Sequence, residues 1–186
     1  FQQYMREHEG EYDLGLTYLQ ITDLDDPFNE TDRKDLKDVA VRGKTKLNEQ
    51  LGISGEFVHQ DKKSDNENAW YLGINYTFDQ VKYTPNLSYR YSSFSESYDP
   101  LFYGNTDAGF GTWFQGEVAG NYAGPFNSNA RIHQISLQAS VKENLHLGLL
   151  AYRFETIKKT YENLDGHEID AFAIWSPTKQ INVIPL

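Results

Sequence analysis

An all-β, antiparallel, up-and-down transmembrane β-barrel is the fold class this sequence predicts, on three observations. Apolar and polar residues alternate strictly through segment after segment. The connections between those segments alternate between short and long. Most charges within the segments fall on their polar faces. Strict alternation is the period of a β-strand, whose successive side chains point to opposite faces. A soluble sandwich turns the apolar face into a core, whereas an outer-membrane barrel turns it out to lipid and keeps the polar face inside. The local pattern is the same in both, so the connections and the charges must decide.

The strands follow in order. "EYDLGLTYLQ" places Tyr12, Leu14, Leu16 and Tyr18 on one face and Asp13, Gly15 and Thr17 on the other. "DVAVRGKTKL" sets Val39, Val41, Gly43, Thr45 and Leu47 against Ala40, Arg42, Lys44 and Lys46. "LGISGEFVH" sets Leu51, Ile53, Gly55 and Phe57 against Gly52, Ser54, Glu56 and Val58. "DNENAWYLGINYTFDQ" is the longest run: Trp70, Leu72, Ile74, Tyr76 and Phe78 oppose Tyr71, Gly73, Asn75, Thr77 and Asp79. "KYTPNLSYRYSS" sets Tyr83, Pro85, Leu87, Tyr89 and Tyr91 against Thr84, Asn86, Ser88, Arg90 and Ser92. "RIHQISLQASVKE" sets His133, Ile135, Leu137, Ala139 and Val141 against Gln134, Ser136, Gln138 and Ser140. "NLHLGLLAYRFET", "HEIDAFAIW" and a terminal "INVIPL" complete a set of about nine strands, with no convincing amphipathic helix.

Composition narrows the class. In 186 residues there are 17 Lys plus Arg and 27 Asp plus Glu, a net charge of −10, which argues against general nucleic-acid binding. Cysteine is absent, so there are no disulfides and no thiolate metal sites. Mean hydropathy is −0.66, and no run approaches the roughly 18 apolar residues of a membrane helix. That leaves barrels open, because their strands alternate. The opening "FQQYMREHEGEY" has neither the basic nor the apolar region of a signal peptide. An exported protein would have lost that leader or would carry it upstream.

The connections favour the barrel. "NEQ", "DQVK", "KEN" and "SPTKQ" are short; "ITDLDDPFNETDRKDLKD", "QDKKSDNENA", residues 93–130 and "IKKTYENLDGHE" are long and polar. Short turns at one end and long loops at the other are the layout of an outer-membrane barrel. Strands of about ten residues suit a tilted span. Charge on a lipid face costs roughly 2–4 kcal/mol at the midplane. Arg42, Lys44, Lys46, Glu56, Arg90 and Asp170 are therefore expected in the lumen, together with Arg131 and Arg153. Arg153 shares parity with Leu145, Leu147 and Leu149, so its inward placement requires a bulge. Tyr18, Trp70, Phe78, Tyr83, Tyr91 and Trp175 stand near strand ends, where aromatic side chains anchor a barrel at the two interfaces.

Function-bearing candidates are few. The cationic lumen residues would raise the local concentration of anions, or would simply pair with Asp13, Glu56 and Asp170 in a polar interior. In the aromatic, glycine-rich loop, Trp113, Phe114, Gln115 and Glu117 form a candidate constriction or sugar-stacking surface, with a structural plug as the alternative. Asp23, Asp25, Asp26, Asn29 and Asp32 cluster as oxygen ligands but lack calcium-loop spacing, so a solvated loop is the simpler reading. His8, His59, His133, His146 and His167 show no metal-ligand spacing, and no serine sits in a nucleophile elbow. We expect no catalysis, no cofactor and no metal.

From Tyr98 the chain reads "YDPLFYGNTDAGFGTWFQGE", later "NSNARIHQISLQASVKENLHLGLLAYRF" and finally "GHEIDAFAIWSPTKQINV". Asp99 to Gly104, Gly111 to Glu117 and Gly166 to Asp170 resemble segments of the alginate-export family of bacterial outer-membrane porins, and the resemblance covers roughly residues 67–186. It implies a barrel of 16 to 18 strands in the outer membrane of a Gram-negative bacterium, of which this chain would be the C-terminal part; a self-contained barrel of 8 to 10 strands is the alternative. It implies a lumen rich in Arg and acidic residues, through which an anionic polysaccharide or smaller solutes pass; together with the cationic lumen residues this gives the expectation of passive, anion-selective diffusion or export of anionic or polyhydroxylated solutes. Expected partners are the lipid bilayer, lipopolysaccharide, the solute, and periplasmic or surface proteins, but not nucleic acid. A different class would be a soluble or surface all-β carbohydrate-binding module; a third would be a structural barrel that holds a partner protein.

Overall fold

A computed structural model describes residues 12–22, 33–99, 128–160, 163, 165–178 and 181–183. Nine strands carry the chain: β1 (Tyr12–Gln20), β2 (Lys37–Lys46), β3 (Leu51–Asp61), β4 (Asn66–Thr77), β5 (Asn86–Phe94), β6 (Ala130–Lys142), β7 (Leu145–Thr156), β8 (Gly166–Thr178) and β9 (Ile181–Val183). They form one sheet in the order β1-β2-β3-β4-β5-β6-β7-β8-β9, and every neighbouring pair is antiparallel. The fold is thus all-β, antiparallel and up-and-down, with no helix among the described residues. The sheet is open, with β1 and β9 as its edges.

Three connections differ from the sequence expectation. The stretch "QDKKSDNENA" is not a long loop: β3 runs to Asp61 and β4 starts at Asn66. The turn closes through Lys62 N–H donating to the Asp65 carbonyl at 3.2 Å. These strand ends are polar because both strands continue past the apolar belt, and polarity there resembles a loop. On the other side, the turn between β4 and β5 is longer than "DQVK". Tyr83 (φ 73°) and Thr84 (φ 41°) adopt left-handed backbone, which ends extended structure before Pro85. Phe78 N–H donates to the Pro85 carbonyl at 2.8 Å, and β5 begins at Asn86. The long connection narrows to 95–129, because β5 includes Ser93 and Phe94 and β6 begins at Ala130.

The burial of the two faces is inverted relative to a soluble sheet. One face, the inner face, buries Gln60, Glu67, Arg90, Ser92, Gln134 and Ser136 together with Phe94, Ile132, Tyr152 and Phe154. The large apolar residues of the other face stay exposed: Leu14, Val41, Phe57, Leu72, Ile74, Ile135, Leu149 and Ile169 among them.

Candidate functional site

The outer face carries a continuous apolar belt. One register row across the sheet reads Tyr12, Thr45, Ile53, Ile74, Tyr89, Ile135, Ala151, Ile169. The belt does not run parallel to this row. Towards the long loops it reaches Tyr18 on β1, six residues beyond Tyr12, then Phe57 on β3, Trp70 on β4 and Tyr91 on β5. On β8 it stops at Ile169, which is in the row itself. Towards the turns it descends from Leu47 after β2 to Phe78 after β4 and Trp175 on β8. Six residues of strand are about 20 Å, and the seven gaps from β1 to β8 span about 34 Å. For the upper boundary to lie level, the strands must lean about 30° from its normal, near the ~35–45° tilt of membrane barrels. Aromatic rings mark both limits: Trp70 packs on Tyr91 with centroids 5.2 Å apart, and Tyr76 on Phe78 at 4.8 Å.

The inner face is polar through its middle. Asp13 meets Lys44 at 3.5 Å, and the two are register partners. Arg42 stands opposite Gly15 on one side and Glu56 on the other. Its guanidinium lies over Gly15, where a Cβ would come within 2.7 Å of Nε, so glycine makes room for the arginine to lie flat. Glu56 is in register with Tyr71. Arg90 is 7 % exposed; its guanidinium sits 3.7 Å from the centre of the Tyr71 ring and donates through Nε to Ser92 Oγ at 3.1 Å. Gln134, its register partner on β6, donates to the Tyr152 hydroxyl at 3.1 Å. A guanidinium stacked on an aromatic face is held in one orientation, which fixes a positive charge in the centre of the inner face.

Towards the loops the inner face becomes apolar and is covered. Phe94, Tyr98, Ile132, Tyr152 and Phe154 belong to one buried cluster, and Tyr152 stacks on Phe154 at 5.8 Å. The segment after β5 folds in over this cluster. Asp99 N–H donates to Gln60 Oε1 at 2.9 Å, and Gln60 Nε2 donates back to the Asp99 carbonyl at 3.0 Å. Gln60 itself is fully buried. Arg33 grips the Asp99 carboxylate through Nε and Nη2 at 2.5 and 2.8 Å. The hydrogen bonds it donates to the Asp99 carboxylate hold the Arg33 guanidinium above its ordinary pKa, and burial raises the Tyr98 hydroxyl.

Of the expected lumen residues, Arg42, Lys44, Lys46, Glu56, Arg90 and Asp170 lie on the inner face. Arg131 and Arg153 do not. The pairing of β7 with β8 is unbroken from Leu145 to Phe154, so Arg153 keeps the parity of Leu147 and Leu149 and faces outward. The irregularity in this region lies in β6, between Ser140 and Lys142, and leaves β7 unchanged. Arg131 alternates with buried Ala130 and Ile132 and is likewise outward. Trp113, Phe114, Gln115 and Glu117 lie outside the described residues, as does the aspartate-rich loop 23–32. Among the described residues no three His, Asp or Glu converge as a metal site. Tyr71 was visible in the sequence as the one aromatic on the polar face of its strand. Gln60 and Tyr152 gave no such signal, because their importance comes from partners on other strands. Compared with known proteins, the chain matches no family, no curated protein and no solved structure.

Proposed function

We propose that this chain forms wall of an outer-membrane β-barrel that passes anionic or polyhydroxylated solutes by diffusion. One observation carries the proposal: the inverted sheet, apolar outside and polar inside, with a belt whose slope matches tilted strands. In water, an exposed apolar face of this extent would drive association; in a bilayer it is the solvated face. Lipid tolerates no bare strand edge, so in a closed barrel the edges at β1 and β9 are paired. On the inner face Arg42, Lys44, Lys46 and Arg90 supply cationic charge for an anionic solute. The resemblance to alginate-export porins makes an acidic polysaccharide the first solute to try. Transport of this kind needs no cofactor and no catalytic group. The covered loop end, with Tyr98 and Asp99 tucked inside, favours a second reading: a closed, structural barrel.

Current through the protein reconstituted in a planar bilayer under a salt gradient tests the proposal. An open cationic lumen gives a reversal potential of anion-selective sign, and Lys44→Glu with Lys46→Glu moves it towards cations. Folded protein that passes no current with any ion would favour the structural barrel.

A further inference from the structure

Two arginines stand on the outer face at the loop-side border of the apolar belt. Arg131 shares a row with Ser93 and Glu155, and Arg153 shares one with His133 and His167. Both rows lie on the outer face just beyond Ile135, Ala151 and Ile169, on the long-loop side. Elsewhere on β3–β5 the same border carries His59, Asn68 and Ser93. Arginine near the border of the apolar band costs a barrel far less than at the midplane, so the position is permitted. Around the arginines opens a cavity of about 550 Å³ whose charged lining is Arg131, Arg153, Lys159, Glu155 and Asp165, with His167 beside them. Glu155 holds Arg153 at 2.9 Å, and Asp165 pairs with Lys159. Among the described residues Arg131 has no ion-pair partner. The lining thus keeps a cationic excess on a chain whose net charge is −10. Below it the exposed Ile135, Leu137, Leu149 and Ile169 form a bare aliphatic strip; Ile169 is 75 % exposed.

We propose that this rim binds the phosphate of an acylated, phosphorylated glycolipid of the outer leaflet; the inference rests on the barrel function proposed above. The arginine forks meet the phosphate oxygens, the geometry for which guanidinium is suited. The acyl chains lie along the aliphatic strip. The strip selects a lipid over a free anion, since a soluble phosphate would leave it uncovered.

The test is native mass spectrometry of the folded protein in detergent micelles carrying diphosphorylated lipid A, with dephosphorylated lipid A and inorganic phosphate as comparison probes. The wild type retains diphosphorylated lipid A, and Arg131→Gln with Arg153→Gln weakens retention roughly tenfold or more. Arg131→Lys with Arg153→Lys retains an intermediate amount. Inorganic phosphate does not displace the lipid. Equal retention by wild type and the glutamine variant would overturn the site, and full displacement by inorganic phosphate would make it a free-anion site instead. A faster-migrating unheated gel band, present in all variants, checks the barrel separately. A wild type that stays soluble and folded without detergent would sink the barrel itself, not merely the rim.

Discussion

Ile74→Arg separates a lipid-facing belt from a water-facing sheet. Ile74 is half exposed on the outer face at the middle of β4, in register with Ile53 and Tyr89. Trp70 and Phe78 stand four residues to either side, about 13 Å along the strand in each direction. With strands leaning about 30°, the belt on β4 is roughly 23 Å tall, close to the ~25 Å apolar band of outer-membrane barrels. Ile74 is then at the midplane, and arginine there costs about 2–4 kcal/mol. Asn68→Arg, on the same face but six residues towards the loops, costs only about 0–1 kcal/mol. In water both substitutions fall on an exposed surface and stay within about 0.5 kcal/mol of wild type. Denaturant unfolding from phospholipid vesicles, followed by tryptophan fluorescence, reads the difference. Equal stabilities of the two variants would refute the placement of β4 in lipid.

Gln60→Leu removes both side-chain hydrogen bonds to Asp99 while filling similar space. The half-buried backbone groups of Asp99 lose their partner, which costs about 1 kcal/mol. Faster amide exchange confined to residues 95–99 is the expected local sign, and unchanged exchange would contradict it. Asp165 accepts from Thr156 N–H at 2.8 Å and pairs with Lys159; the Lys159 hydrogen bond, followed by that of Thr156, holds its pKa below the ordinary aspartate value. A carboxylate whose folded pKa is depressed stabilises above its unfolded pKa and loses that contribution as pH falls through the folded one. The Thr156 amide resonance therefore titrates on the acid side of the ordinary aspartate range, and Asp165→Asn abolishes the titration. A midpoint at or above the ordinary value would contradict the pairing.

Strand existence and facing were legible because the period-two pattern is unusually strict. Leu72 and Ile74 could face only one way, and Arg42 and Lys44 only the other. Strand ends were less legible. Gln60 and Glu67 extend β3 and β4 beyond the belt, and nothing local distinguishes a polar strand end from a loop. The left-handed backbone at Tyr83 and Thr84 was hidden because neither residue is a glycine or asparagine. Arg153 shows the clearest limit. The aversion of lipid for charge argued for turning it inward, but its parity with Leu147 and Leu149 was the stronger constraint, because register is fixed by the whole β7–β8 ladder. In the proposed barrel its charge is accommodated by height along the strand, and that height depends on the tilt of the sheet, which no single strand reveals. The inward fold of Tyr98 and Asp99 depends on Gln60 and Arg33, both distant in sequence.

The central claim is that the apolar face of this sheet meets lipid and its polar face meets water. The chain has no cysteine, so single cysteines can be placed along β4 from residue 70 to 76 and labelled with nitroxide in vesicles. Collision with oxygen, which concentrates in lipid, should peak at positions 70, 72, 74 and 76. Collision with a water-soluble nickel complex should peak at 71, 73 and 75. An even-numbered set open to the nickel complex would contradict the account.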